Sequence, residues 1–306
     1  MIRTLLPIAL LALATPVLAA DPAPAPSEIV AAAPKPDWVA IPASDLLVMD
    51  LTPDSKAKPR RVTIQLMPPP FSQGWIGNIR KLAVAHWWDG LSVNRVQDNY
   101  VVQWGDADGE DKAKARALPG SLEVLGQSQY VSPQPSDRDI VMDRTSSTDD
   151  PYALWSGFER GWPIAGSDGS VWPVHCYGMV GVGRNLSPDT GSGAELYTVI
   201  GHAPRHLDRN IALVGRVIEG IEHLSSLPRG TGALGFYETP EERTKILSIR
   251  PGNEVPALPA YEYLSTDSNT FARYADSRAN RRDPFFIRPA GGADICNIPV
   301  PVRKVK

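Results

Sequence analysis

Between residues 45 and 106 the chain changes its hydrophobic period repeatedly. "DLLVMDLT" (45–52) and "RRVTIQLM" (61–68) are short apolar-rich runs joined by the polar turn "PDSKAKP", and both predict strands. In "WIGNIRKLAVAHWWDG" (75–90), Ile76, Ile79, Leu82, Ala83 and His86 fall at helical spacing, and Gly90 follows as a stop. "LSVNRVQDNYVVQWGD" (91–106) returns to alternation and predicts two strands. One residue breaks the pattern. Arg95 stands between Val93 and Val96, where wall material for a core is expected.

Residues 107–177 lack a clear period. They predict an elaborated loop region, packed in part by its tryptophans. Strand signals resume in "GMVGVG" (178–183), "AELYTVIG" (194–201) and "NIALVGRV" (210–217). "IEGIEHLSSL" (218–227) predicts a short amphipathic helix and "TKILSIRPG" (244–252) a last strand. The remainder, 251–306, is expected to pack on the domain as an extension. It contains "FARYADSRANRRDPFF", which mixes basic and aromatic residues.

Composition narrows this picture. The 306 residues are 42% hydrophobic and 21% charged, as in a globular protein. The net charge of −3 gives no bulk electrostatic case for nucleic acid or an anionic membrane. Thirty prolines favour a turn-rich β fold, because proline interrupts helix interiors and central strands. "MIRTLLPIALLALATPVLAA" has an early cation, an apolar stretch and small residues at its end. It predicts a secretory signal peptide over 1–20, cleaved after Ala19 or Ala20. The Pro/Ala-rich stretch that follows predicts an extended tether over 21–40, with order beginning near Ile41. Export, most simply to a periplasm, leaves no stable membrane insertion once the signal is removed. It also bears on Cys176 and Cys296. In an oxidising compartment they could pair, closing a loop of about 120 residues for about 4 kcal/mol of chain entropy, or stay as two buried thiols.

Covalent and metal chemistry find little support. His202 and His206 are four apart, but Pro204 between them breaks the helix that would bring both rings to one face. "GVGRNLSPDTG" lacks the full dinucleotide spacing, and Ser192 in "TGSGA" precedes a strand rather than a helix, against the nucleophile-elbow context. No cofactor and no metal site is expected.

The order helix, "DGLSVNRVQDNYVVQWGD", long loop, "GMVG", "TGSGAELYTVIG" and "HLDRNIALVGRVIEGIE" resembles the cyclophilin-type peptidyl-prolyl cis–trans isomerases across roughly residues 45–250. The resemblance implies a closed eight-stranded antiparallel barrel capped by two helices, spanning 41–250 with an insertion over 107–177. It implies isomerisation of X-Pro bonds in polypeptide segments of other exported proteins, without cofactor. Arg95 takes the place of the family's catalytic arginine. Tyr100, Val101, Tyr197, His206 and Leu207 match positions of the proline pocket, and Gln103 matches the glutamine that orients the arginine or the substrate. Asn94 replaces an expected histidine, Ile211 another, and His206 a common tryptophan. Glu195 replaces a glutamine, which places a carboxylate able to pair with Arg95 and hold or quench it. A catalytically weak module that binds Pro-containing peptides or a fixed envelope partner is the alternative reading.

Overall fold

The computed structural model describes residues 23–134, 141–142 and 150–305. The expected signal peptide lies outside the described residues. Helix α1 (Pro26–Ala31) and strand β1 (Trp38–Ile41) precede β2 (Leu46–Leu51), β3 (Arg60–Leu66), helix α2 (Gln73–Val84), β4 (Ser92–Val96) and β5 (Val101–Gly105). The next segment holds β6 (Ser132–Pro133), β7 (Val141–Met142), β8 (Trp155–Glu159), β9 (Trp162–Ser167) and β10 (Ser170–Pro173). Strands β11 (Met179–Val182), β12 (Leu196–Val199) and β13 (Leu213–Glu219), helix α3 (Glu222–Ser225) and strand β14 (Thr244–Pro251) follow. The chain then runs through β15 (Tyr261–Leu264), α4 (Asn269–Ala279) and β16 (Val302–Lys304).

Eight strands close an antiparallel barrel in the order β11-β12-β5-β4-β14-β2-β3-β13, with β13 pairing back to β11. These are the eight strands expected from the apolar runs. Inward residues alternate along each strand. Leu47, Met49, Leu51, Val62, Ile64, Val102, Trp104 and Ile249 are all buried in one core with Trp75, Ile76, Ile79 and Leu82 of α2. A helical stripe at i, i+3 and i+7 suits α2 to lie on that core.

Two expectations fail. The stretch expected as a tether is built into the protein. Pro26 occupies the first turn of α1, where its missing N–H is no loss, and the Glu28 carboxylate accepts the Ala25 N–H at 2.7 Å. Strand β1 pairs with β15, and β15 with β16, in a three-stranded sheet. Ile41, Leu46 and Tyr261 form a second cluster there, so β2 is covered on both faces. Three apolar anchors, Ile29, Trp38 and Ile41, outweigh the prolines around them. The 107–177 region is likewise more than loop, for it contains the five-stranded sheet β6-β10-β9-β8-β7. Its glycines and prolines hide the period. Gly166 is needed because Trp155 lies over it, where a Cβ would come within 2.2 Å of the ring.

Arg216 of β13 binds this sheet to the barrel. It donates to the Gly161 carbonyl at 2.7 Å and to Gln65 Oε1 at 2.9 Å, and its guanidinium lies 4.4 Å from the Trp162 ring centroid. Burial pulls its pKa down to about 10. Phe158 packs edge-on against Phe271 of α4 at 4.9 Å, which links the insertion to the C-terminal extension. Cys176 and Cys296 form a disulfide that joins the start of the barrel's second half to that extension.

Candidate active site

Arg95 faces outward because β4 carries an extra residue. Val93 pairs with Trp104 and Arg95 with Gln103, so the register shifts across Asn94. In a regular strand Val93 and Arg95 would share one face. The bulge re-aims the arginine, while Val93 and Val96 both remain buried.

The guanidinium is held from three sides. Its Nε donates to the Leu234 carbonyl at 2.8 Å, one terminal nitrogen donates to Gln103 Oε1 at 3.2 Å, and the other donates to Gln97 Oε1. The Tyr100 and Phe236 rings flank it at 5.7 and 5.3 Å. Burial lowers its pKa, which leaves it a cation at any ordinary pH. Three of five N–H donors are engaged, and each terminal nitrogen keeps one for a substrate. The loop that carries Leu234 and Phe236 is fastened beside β4 by Gly230 N–H to Val96 O at 2.9 Å and Tyr237 N–H to Asn94 O at 3.0 Å.

Arg95, Gln103 and Glu195 line one cavity of about 690 Å³, together with Asn94, Arg116, Arg184, Phe236 and Arg243. The expected Arg95–Glu195 contact does not form among the described residues. Glu195 Oε1 instead accepts the Asp106 N–H at 2.6 Å. This close approach is possible because residue 105 is glycine, since a Cβ there would lie 2.0 Å from the carboxylate. Burial raises the Glu195 pKa to about 7, against the opposing pull of the Asp106 N–H and the Asn94 and Gln103 side chains. Glu195 Oε2 and Asn94 Oδ1 are both buried without a hydrogen-bond partner.

The other expected substrate residues lie outside this cavity. Val101, Tyr197 and Val199 form a small buried cluster of their own, with Tyr100 and Ile211 packed at its edge. Exposed His206 stacks on Tyr100 at 6.4 Å, and half-buried Leu207 ends a 3₁₀ turn (Arg205–Leu207). The accessible apolar surface on this side of Arg95 is therefore the edge formed by Tyr100 and Ile211.

Behind Tyr197 runs a buried polar chain that no periodicity announces. The partners assign a neutral His175. Its Nδ1–H donates to Asp208 Oδ1 at 2.8 Å, and its Nε2 accepts the Tyr197 hydroxyl at 2.9 Å. Burial holds the His175 pKa below its ordinary value. Asp208 Oδ2 accepts Arg205 Nε at 2.7 Å, and Arg205 reaches Asp150 Oδ2 at 2.9 Å. Burial alone would raise the Asp208 carboxyl, but His175 and Arg205 outweigh it and hold it below the usual carboxylate range. The tyrosine ring lies on Gly181, where a Cβ would come within 2.3 Å of it. Sequence reading also passed over Phe236 and Leu234, whose Gly-rich segment "RGTGALGFYE" has no period to place it. Among the described residues no group of three or more His, Cys, Asp or Glu is placed to hold a metal ion, and no helix is long and apolar enough to cross a membrane.

Comparison with known proteins agrees with this geometry. The family model described as cyclophilin type peptidyl-prolyl cis-trans isomerase/CLD matches residues 61–250. The crystal structure of the cyclophilin AquaCyp293 from Hirschia baltica superposes with a TM-score of 0.66 at 20% identity, covering 92% of this chain and 98% of that one. A cyclophilin-type peptidyl-prolyl cis-trans isomerase from Cryptosporidium parvum, solved in the presence of the dipeptide Ala-Pro, gives a TM-score of 0.38 at 10% identity, covering 67% and 98%. A search of curated proteins finds no match.

Proposed function

The chain belongs to the cyclophilin-type peptidyl-prolyl cis-trans isomerase family, and we propose that it catalyses X-Pro rotation through Arg95, assisting the folding of exported proteins in a periplasm. The observation that carries the catalytic assignment is the bulge at Asn94, which presents Arg95 outward beside Gln103. Rotation needs no covalent step. The amide must lose its resonance over a barrier near 20 kcal/mol, and the twisting prolyl nitrogen gains a lone pair. A guanidinium N–H meets that lone pair only in the twisted state, so the bond lowers the barrier without holding the ground state. Gln103, Gln97 and the Leu234 carbonyl fix the donor in place before the substrate arrives. Tyr100 and Ile211 offer an apolar edge for the proline ring. Export is supported by the N-terminal pattern and by the Cys176–Cys296 disulfide, a bond suited to an oxidising compartment.

The weak-binder reading has one observation in its favour. The Leu234 carbonyl and the Phe236 ring already occupy one side of Arg95. Measuring cis-to-trans conversion of a short X-Pro peptide separates the two readings. For the enzyme, Arg95→Ala lowers kcat/KM by about 10²-fold, the worth of one preorganised charged donor. Equal, uncatalysed rates for wild type and variant would leave only binding.

A further inference from the structure

The segment between α4 and the second disulfide cysteine projects a tip that neither the barrel nor the groove uses. Residues 284–291, Pro-Phe-Phe-Ile-Arg-Pro-Ala-Gly, are exposed in unbroken succession. Phe285 is 84% exposed, Phe286 38% and Ile287 101%. Among the described residues no other three large apolar side chains are exposed consecutively, and none of these three joins a core cluster. Single exposed apolar residues are ordinary, but a contiguous set on a protruding tip is not.

The tip is built rather than frayed. Arg281 donates to Asp283 Oδ2 at 2.7 Å, and its guanidinium lies 4.3 Å from the Phe286 ring centroid. Phe286 N–H donates to Asp283 O at 2.9 Å, and Phe285 packs edge-on against Phe286 at 5.2 Å. Pro284 and Pro289 bracket the apolar triplet and restrict its backbone. Downstream, the Cys176–Cys296 bond fixes the segment to the body of the protein.

The charge around the tip is one-sided. Asp283, the acid of this stretch, is already taken by Arg281, whereas Arg282 and Arg288 have no carboxylate partner among the described residues. The chain's net charge of −3 averages this local positive patch away. An exposed segment with two aromatic rings and an isoleucine, flanked by arginines, matches the layering of a bilayer surface. Apolar side chains enter the acyl boundary while guanidiniums meet anionic headgroups.

We infer that the Phe285–Phe286–Ile287 tip, with Arg282 and Arg288, docks this protein peripherally on an anionic lipid surface. The test is co-sedimentation of the full chain with vesicles of phosphatidylcholine alone and with about a third phosphatidylglycerol. It is read beside deuterium uptake of the 281–293 peptide, which reports on the tip independently of the apolar N-terminus. Wild type binds the anionic vesicles, and the bound state slows uptake in 281–293. Phe285→Ser with Ile287→Ser lowers the partition coefficient at least about tenfold, from the apolar area withdrawn. Arg282→Ala with Arg288→Ala lowers it about 25-fold on anionic vesicles only, at about fivefold per arginine, and raising the salt has the same effect on wild type. Unchanged uptake across 281–293, or equal partitioning of wild type and the Ser variant, overturns the inference. So does vesicle-free self-association, seen by light scattering, that disappears in the Ser variant, because the tip would then bind a second copy of the chain.

Discussion

Glu195 is the residue whose replacement tests the site's electrostatics most directly. Its carboxyl titrates near 4.5 when unfolded and at about 7 in the folded protein, mainly because it is buried beside Asn94 and Gln103. A raised acid means that the folded state binds the proton more tightly than the unfolded chain does. Stability therefore falls as pH rises from about 4.5 to about 7 and is flat above. The difference of roughly 2.5 pH units corresponds to about 3 kcal/mol, an upper order of magnitude. Glu195→Gln removes the titration and keeps the geometry. Its carbonyl oxygen can still accept the Asp106 N–H. Urea unfolding of both proteins at pH 4.5, 6 and 8 gives the measurement. Titrating groups elsewhere, such as Asp208 and Asp89, contribute equally to both chains and cancel in the difference. The two proteins should be within about 1 kcal/mol at pH 4.5, and the variant should gain up to about 3 kcal/mol by pH 8. A difference that does not change with pH would show that the carboxylate is solvated, and the buried-acid reasoning would fail.

Asp208→Asn should cost about 1–3 kcal/mol at neutral pH, since buried Arg205 loses one charge-assisted partner and keeps only Asp150. It should also remove the acid-side loss of stability that comes from protonating a carboxylate with a lowered pKa, and a loss under about 1 kcal/mol by urea unfolding would contradict the network. Gly181→Ala pushes a methyl into the Tyr197 ring and should destabilise by about 1–3 kcal/mol while reducing isomerase activity, because the ring cannot retreat from His175. Cys176→Ser with Cys296→Ser should lower stability by about 4 kcal/mol and expose the C-terminal extension to proteolysis, and an unchanged urea midpoint would deny the bond that role.

The barrel could be read from its apolar runs because its strands are buried nearly along their length, β2 and β12 among them, so most of their positions carry apolar side chains. The insertion could not. Gly157 and Pro163 break the apolar pattern of β8 and β9, while Gly161 in the turn between them and Gly166 in β9 sit where Tyr263 and Trp155 approach the backbone. The N-terminal segment failed for a related reason. Its composition is that of a linker, and only its pairing with β15, more than 200 residues later, turns Trp38 and Ile41 into core. Such long-range pairing leaves no local signature. Of the residues lining the cavity, Arg95, Gln103 and Glu195 could be reached through the resemblance to the family's motif. His175 and Arg205 could not, since each acts through a partner distant in sequence or through a turn.

Arg95 shows how a local irregularity becomes a site. Read with strict alternation, a residue two positions from Val93 belongs in the core, where a guanidinium would lose several kcal/mol of solvation. The chain avoids that penalty by leaving Asn94 unmatched, which turns Arg95 out opposite Gln103 without disturbing the valines on either side. Asn94, at the bulge, is buried and lines the same cavity as Glu195, a carboxyl that burial makes favour its proton. Glu195 in the family's glutamine position thus follows the same logic as Arg95. A carboxyl that burial raises to about 7 takes the place of the amide, and Arg95 shares the cavity with Arg116, Arg184 and Arg243 without an ion pair to Glu195. That arrangement suits the proposed role of Arg95, because a carboxylate bonded to it would claim the donors meant for the twisting amide.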